Sequence, residues 1–132
     1  ICLGFQVLFE SSEESINAKG LGLISGKIEK LKSSESERIP HVGWNDVIPL
    51  KKNSYLNFLE NPMDVYFVHS YGLLLNQNLN EDLFHEFTVT RHGKNKFLSS
   101  FRLSNLYGCQ FHPEKSSKVG TKFLKLFLEL NA

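Results

Sequence analysis

The sequence predicts a mixed α/β domain whose layers are incomplete. Three observations point there. The periodic segments run helix, strands, short helix, strands, helix; "DVYFVHSY" (64–71) is a near-continuous apolar run ending in polar residues; and "SSKVGTKFLKLFLEL" (116–130) has the spacing of an amphipathic helix. A chain of 132 residues fits one domain with one core, and 41% hydrophobic against 22% charged residues is the balance of a folded protein rather than a disordered tail.

Each element follows from local chemistry. In "FQVLFESS", Phe5, Leu8 and Phe9 stand at i, i+3, i+4, which predicts a short helix. Residues 13–22 mix charge, Asn and Gly, the composition of a loop. "LISGKIEKL" (23–31) alternates weakly and predicts a strand, and "KSSESER" (32–38) a solvated turn. "IPHVGWNDVIPL" (39–50) carries a proline near each end and predicts at best an edge strand or a shaped loop.

"NSYLNFLENP" (53–62) predicts a short helix capped by Asn53 or Ser54 and stopped by Pro62. The run at 64–71 predicts a buried strand that delivers side chains at its end. Residues 84–103 read as two strands around "HGKN", with Gly93 supplying positive φ in the turn. "NLYGCQFHP" (105–113) is a further strand stopped by Pro113. The last helix starts at Ser116 or Ser117, with Val119, Phe123, Phe127 and Leu130 on one stripe. No internal repeat is visible.

A net charge of +1 offers no bulk attraction to nucleic acid or an anionic membrane. No apolar run approaches the roughly 18 residues of a membrane span, and the first residues lack a signal-peptide layout, so a cytoplasmic protein is expected. Cys2 and Cys109 read as two thiols rather than a disulfide. The chain does not begin with Met and starts inside an unfinished element, so an excerpt of a longer protein is expected, with further strands packing beyond Ile1.

The chemistry concentrates in "ICLGFQ" (1–6) and "GCQFHPEKSS" (108–117). A nucleophile on a sharp strand-to-helix turn needs small neighbours, such as Gly4, and has the following backbone N–H aimed at a developing oxyanion. A helix start should also lower the thiol pKa from its free value of about 8.5, and a neighbouring imidazole would lower it further. On the isolated motif, a small buried apolar residue is the better reading of Cys2. His112 and Glu114 change that balance. In an extended segment they project to the same side, so Glu114 accepts from one ring nitrogen of His112 and leaves the other to face a thiol, with Pro113 stiffening the pair. Cysteine, histidine and carboxylate are the nucleophile, base and orienter of acyl transfer.

"ICLGFQ" resembles the nucleophile elbow of class I glutamine amidotransferases, Gly-x-Cys-x-Gly-x-Gln, and "QFHPE" resembles their His-x-Glu motif. More narrowly, "LFESSEE", "GLGLISGKI", "IPHVGWN", "YFVHSY" and "GCQFHPEKS" together resemble the glutaminase subunits of imidazole glycerol phosphate synthases, in order from Ile1 to Lys115. The resemblance implies a flavodoxin-like sheet with flanking helices, of which residues 1–132 would be the C-terminal two-thirds with the N-terminal strands missing. It implies hydrolysis of L-glutamine to glutamate and ammonia, the ammonia passing through a tunnel to a (βα)8-barrel cyclase in histidine biosynthesis. No cofactor or metal is implied.

Carried over by position, the resemblance makes Cys2 the thioester-forming nucleophile, His112 the acid/base and Glu114 its orienter, with the Leu3 N–H as one oxyanion donor. It implies substrate contacts for Gln6 and Glu10, and backbone contacts to the substrate's amino-acid end for Ser70 and Tyr71. Trp44 and Asn45 would face the cyclase near the ammonia passage; from the residues alone Trp44 reads as a packed or half-buried aromatic. Lys115 would make an intersubunit salt bridge.

His41, His69, His85 and His92 show no metal-ligand spacing, and Cys109 reads as core packing. The glycine-rich loop that supplies the family's second oxyanion donor is absent from this sequence. Ser25 stands where proline is common, and the sequence departs from the pattern after Tyr71. Two other readings stay open: a paralogue feeding another synthase, such as one for surface-sugar amidation, and a truncated non-catalytic module that binds the partner. A class II amidotransferase does not fit, because Ile1 precedes the cysteine whose α-amino group that chemistry needs.

Overall fold

Strand β5 (Met63–His69) organises the molecule, lying at one edge of a five-stranded antiparallel sheet of order β5-β4-β7-β8-β9. The others are β4 (His41–Pro49), β7 (Glu86–His92), β8 (Asn95–Leu103) and β9 (Leu106–Cys109). A smaller sheet, order β2-β1-β3-β6, joins Ser11–Ser12 (β1), Ser15–Lys19 (β2), Lys27–Lys30 (β3) and Tyr71–Gly72 (β6). Helix α1 spans Leu3–Gln6 and α2 spans Ser117–Leu130. These elements come from a computed structural model that describes residues 1–50, 63–77 and 79–130; the expected helix at 53–62 lies outside the described residues.

Period-two burial explains β5. Met63, Val65, Phe67 and His69 face inward, whereas Asp64 and Val68 are exposed, so the strand is buried on one face rather than on both as its apolar run suggested. The β7–β8 hairpin forms as expected around Gly93 at φ 57°. Three expectations fail. Helix α1 ends at Gln6, so Leu8 and Phe9 pack from the turns that follow it rather than from a helical stripe with Phe5. Residues 15–19 form a strand, not a loop; every residue of it is exposed, so backbone pairing to β1 holds it without an apolar signature. Residues 41–49 form an interior strand, not an edge. Pro40 lies ahead of the β4–β5 ladder and Pro49 is the last residue of β4, so neither ring interrupts the pairing from His41 to Val47.

The apolar core has two parts. One gathers Val47, Val65, Phe67, Phe97, Phe111 and Phe123 where α2 covers the sheet, with the Phe111 and Phe123 rings 5.1 Å apart. The other gathers Phe5, Phe9, Ile28, Phe84, Leu98 and Phe101 beneath α1 and β3. A side chain at Gly108 would come within 2.9 Å of the Phe5 ring and 2.7 Å of the Phe101 ring, which is how closely β9 and α1 approach. That approach brings the two ends of the chain together. Among the described residues no helix is long and apolar enough to cross a membrane.

Candidate active site

Cys2 caps the start of α1 with φ 45° and ψ −103°, a backbone conformation that non-glycine residues rarely adopt. The turn is held from outside and inside: the Cys2 N–H donates to the Cys109 carbonyl at 2.8 Å, and the Cys2 carbonyl accepts from the Gln6 N–H at 3.1 Å. This is the sharp turn expected of a nucleophile. Gly4 is a different matter. No described atom lies within 4 Å of where its Cβ would stand, so nothing described here requires its small size.

The Cys2 sulfur and the His112 backbone both attach along one edge of β5. The His112 N–H donates to the Tyr66 carbonyl at 2.9 Å, and the Cys2 sulfur lies 3.9 Å from the Val68 carbonyl. Tyr66 and Val68 are two apart on one strand, so their carbonyls leave the same edge about 6.8 Å from each other. Ser116 pins the histidine segment down. Its Oγ accepts from the Tyr66 N–H at 2.9 Å and donates to the His112 carbonyl at 2.6 Å.

His112 Nδ1 lies 2.7 Å from Glu114 Oε1, so this nitrogen carries a hydrogen and Nε2 is the ring nitrogen that the carboxylate does not engage. The backbone is extended at His112, but Pro113 opens a 3-10 turn, Pro113–Lys115, instead of continuing the strand. Burial by itself would raise the Glu114 carboxyl. Hydrogen bonds from His112 and the residue's own N–H outweigh it and hold the carboxyl below the usual range.

The thiol departs from expectation. Burial pushes Cys2 up, although the Leu3 N–H and the Gln110 side chain both favour its thiolate; a four-residue helix does not overcome desolvation. Cys109 is buried, free, and pushed up to about 12 by desolvation, as suits a packing residue.

A continuous chain of polar groups runs from β4 to the sulfur. The His69 Nδ1 lies 2.8 Å from the Tyr71 carbonyl, which can only accept, so Nδ1 carries the hydrogen and Nε2 is an acceptor. His41 Nδ1, 2.9 Å away, therefore donates to it, and His41 Nε2 accepts from Asn45 Nδ2 at 3.2 Å. Both rings are neutral: burial lowers His41 to about 3 and His69 to about 4. On the other side, Gln6 Nε2 donates to the same Tyr71 carbonyl at 2.9 Å and to Gln110 Oε1 at 3.0 Å, and Gln110 Nε2 lies 3.5 Å from the Cys2 sulfur.

The remaining expected residues divide. Leu3 and Gln6 line a cavity of about 250 Å³ between α1 and the β1–β2 hairpin, with Ser12, Glu14 and Lys19 also on its wall. Glu10 lies elsewhere, its carboxylate accepting from Ser25 Oγ at 3.3 Å and the Gly26 N–H at 3.0 Å. The Ser70 carbonyl accepts from the Leu31 N–H at 2.9 Å. Ser70 and Tyr71 are absent from the walls of that cavity. Trp44 is half exposed and its ring stands edge-on to Tyr66 at 6.1 Å, while Lys115 Nζ lies 5.8 Å from the centre of the same Tyr66 ring. Asn45 turns inward, to His41 and the Arg91 carbonyl. Sequence reasoning missed Gln110, Glu14, Ser116 and the His41–His69 pair. Gln110 sat inside the "QFHPE" motif; the histidines carried no signal, because 28 residues separate them. Among the described residues no cluster of His, Cys, Asp and Glu gathers to hold a metal ion.

Comparison with known proteins places the chain among relatives. The chain is 43% identical over 130 residues to the imidazole glycerol phosphate synthase subunit HisH of Prochlorococcus marinus, covering 98% of this chain and 60% of that protein. It is 42% identical over 130 residues to the HisH subunit of Methanocaldococcus jannaschii, covering 98% of this chain and 62% of that protein. Against the chloroplastic imidazole glycerol phosphate synthase hisHF of Arabidopsis thaliana it is 42% identical over 128 residues, 97% of this chain and 21% of that one. The chain thus spans about 60% of the length of its HisH relatives. The model of the family described as glutamine amidotransferase class-I matches residues 1–130, and the chain belongs to that family.

Proposed function

We propose that this chain carries the catalytic half of a glutaminase that hydrolyses L-glutamine and passes the ammonia to a (βα)8-barrel cyclase in histidine biosynthesis. One observation carries the reading: the Cys2 sulfur and the His112 N–H engage carbonyls two residues apart on one edge of β5, with His112 oriented by Glu114 at 2.7 Å.

His112 Nε2 takes the proton from the Cys2 thiol, which its raised pKa makes necessary, and the sulfur attacks the side-chain amide carbon of glutamine. The carbonyl oxygen becomes an oxyanion that accepts from the Leu3 N–H. Collapse breaks the C–N bond, His112 returns the proton to the nitrogen, and ammonia leaves a thioester. Water, deprotonated by His112, then attacks the thioester carbon, glutamate departs, and the proton returns to sulfur. Glu114 stays ionised throughout and stabilises the imidazolium.

The cavity beside Leu3 and Gln6 suits the substrate. Glu14 and Lys19 bring one charge of each sign to its wall, as the ammonium and carboxylate of an amino acid require. Trp44, Tyr66 and Lys115 form a patch suited to the cyclase, beside the β5 edge; Asn45, next in the chain to Trp44, bonds to His41 and the Arg91 carbonyl. Work in the cytoplasm suits two free thiols.

The test is glutamate release from glutamine by the full chain with its cyclase partner. Activity that falls by roughly 10⁴ or more in Cys2→Ala supports the reading. Activity unchanged in Cys2→Ala, or no turnover by the complex, would overturn it.

A further inference from the structure

We propose that Gln110 is a positioning residue for the nucleophile: its Nε2 donates to the Cys2 sulfur at 3.5 Å, and Gln6 fixes the amide so that the nitrogen and not the oxygen faces it. The proposal rests on Cys2 being the nucleophile, and it adds a role that sequence motifs do not assign.

Gln110 is fully buried, and its backbone N–H is tied to the Ser99 carbonyl at 2.8 Å, so its side chain has no solvent alternative. The orientation of each amide is dictated by its neighbour. The Tyr71 carbonyl has no hydrogen to give, so Gln6 must turn its NH₂ group to it. The second hydrogen of that group meets Gln110 Oε1, which leaves Gln110 Nε2 for the sulfur. His69 secures the Tyr71 carbonyl from the other side at 2.8 Å. His41 and Asn45 hold His69 in turn, so the frame has no ionised member.

A donor aimed at sulfur favours thiolate over thiol. An acceptor in that place would do the opposite. The same buried amide also limits rotation of the thiol, whose sulfur lies 3.9 Å from the Val68 carbonyl on the β5 edge.

The experiment reads the sulfur directly. In the full chain carrying Cys109→Ala, the rate of Cys2 alkylation by iodoacetamide is followed against pH by peptide mass. We expect Gln110→Met to move the midpoint up by about one pH unit, and Gln110→Glu, which swaps the donor for a charged acceptor, to move it further. Midpoints equal to that of the parent overturn the proposal. A second measurement needs no change at Gln110: the ¹⁵N and ¹H resonances of its side-chain amide should shift as Cys2 titrates and lose that response in Cys2→Ala. An amide resonance blind to the titration also overturns it. Neither readout uses glutamine, so failure here and failure of the glutaminase assay are separate results.

Discussion

Cys2 and Cys109 are joined backbone to backbone, the N–H of the first donating to the carbonyl of the second at 2.8 Å. The bond links the turn that carries Cys2 to the strand that ends three residues before His112. It also sets two thiols in opposite surroundings. One is partly exposed on the turn; the other is sealed in the core and pushed up to about 12. Iodoacetamide at pH 8 should label one thiol per folded chain, at Cys2, and both after denaturation. Peptide mass analysis showing Cys109 labelled first would contradict this arrangement.

In the proposed mechanism Glu114 acts through His112, so it should matter to rate more than to folding. Glu114→Gln keeps the shape but loses the charge that stabilises the imidazolium, so kcat for glutamine hydrolysis should fall by roughly 10² to 10⁴ with little change in KM. The carboxyl is held below its ordinary value, so its pairing stabilises the fold above the usual carboxylate range. That contribution is lost as pH falls through the lowered value. Its side chain is half exposed, so the effect on unfolding should be small, and a large loss of stability in Glu114→Gln would argue for a structural role.

His41 and His69 predict a marked acid sensitivity. Both are buried and held neutral, near 3 and near 4, whereas the unfolded chain protonates them near 6.5. The unfolded state therefore binds more protons as pH drops below about 6.5, and the folded state loses stability down to about pH 4, where His69 begins to follow. The slope should approach about 1.4 kcal/mol per pH unit for each histidine. Urea unfolding at pH 7, 6 and 5 measures it; midpoints that do not move between those pH values would refute the neutral pair.

Ser116→Ala should destabilise by about 1–3 kcal/mol, because the Tyr66 N–H loses its partner beside the β5 edge. The His112 carbonyl loses a donor in the same step, so kcat should fall beyond what thermal stability explains. Comparing melting temperature with turnover below the melt separates the two effects.

Gly120→Ala would ordinarily help a helix. Here the added Cβ would overlap the Pro113 carbonyl, so α2 must shift from the turn that carries Glu114. A loss of roughly 1–3 kcal/mol is expected by thermal or urea unfolding, and a stabilised variant would show that α2 is not seated there.

Residue types and short spacings determined a good deal. The tight turn at Cys2, the His112–Glu114 pair, the Gly93 hairpin and the C-terminal helix are local patterns and formed, although Pro113 turned the chain where an extended segment was expected. What spacing could not tell was pairing. Strand β4 became interior because β5 and β7 claimed its two edges in different stretches, and exposed β2 formed because β1 lay beside it. The raised thiol is likewise a tertiary result: helix position argued downward, but burial is contributed by the rest of the molecule and outweighs it. The relay from Asn45 to Gln110 belongs to the same class, since its donors and acceptors become partners only when distant strands stack. Sequence set which groups were present, and the folded chain alone decided which of them hold each other in place, because hydrogen bonds and desolvation depend on distance in space.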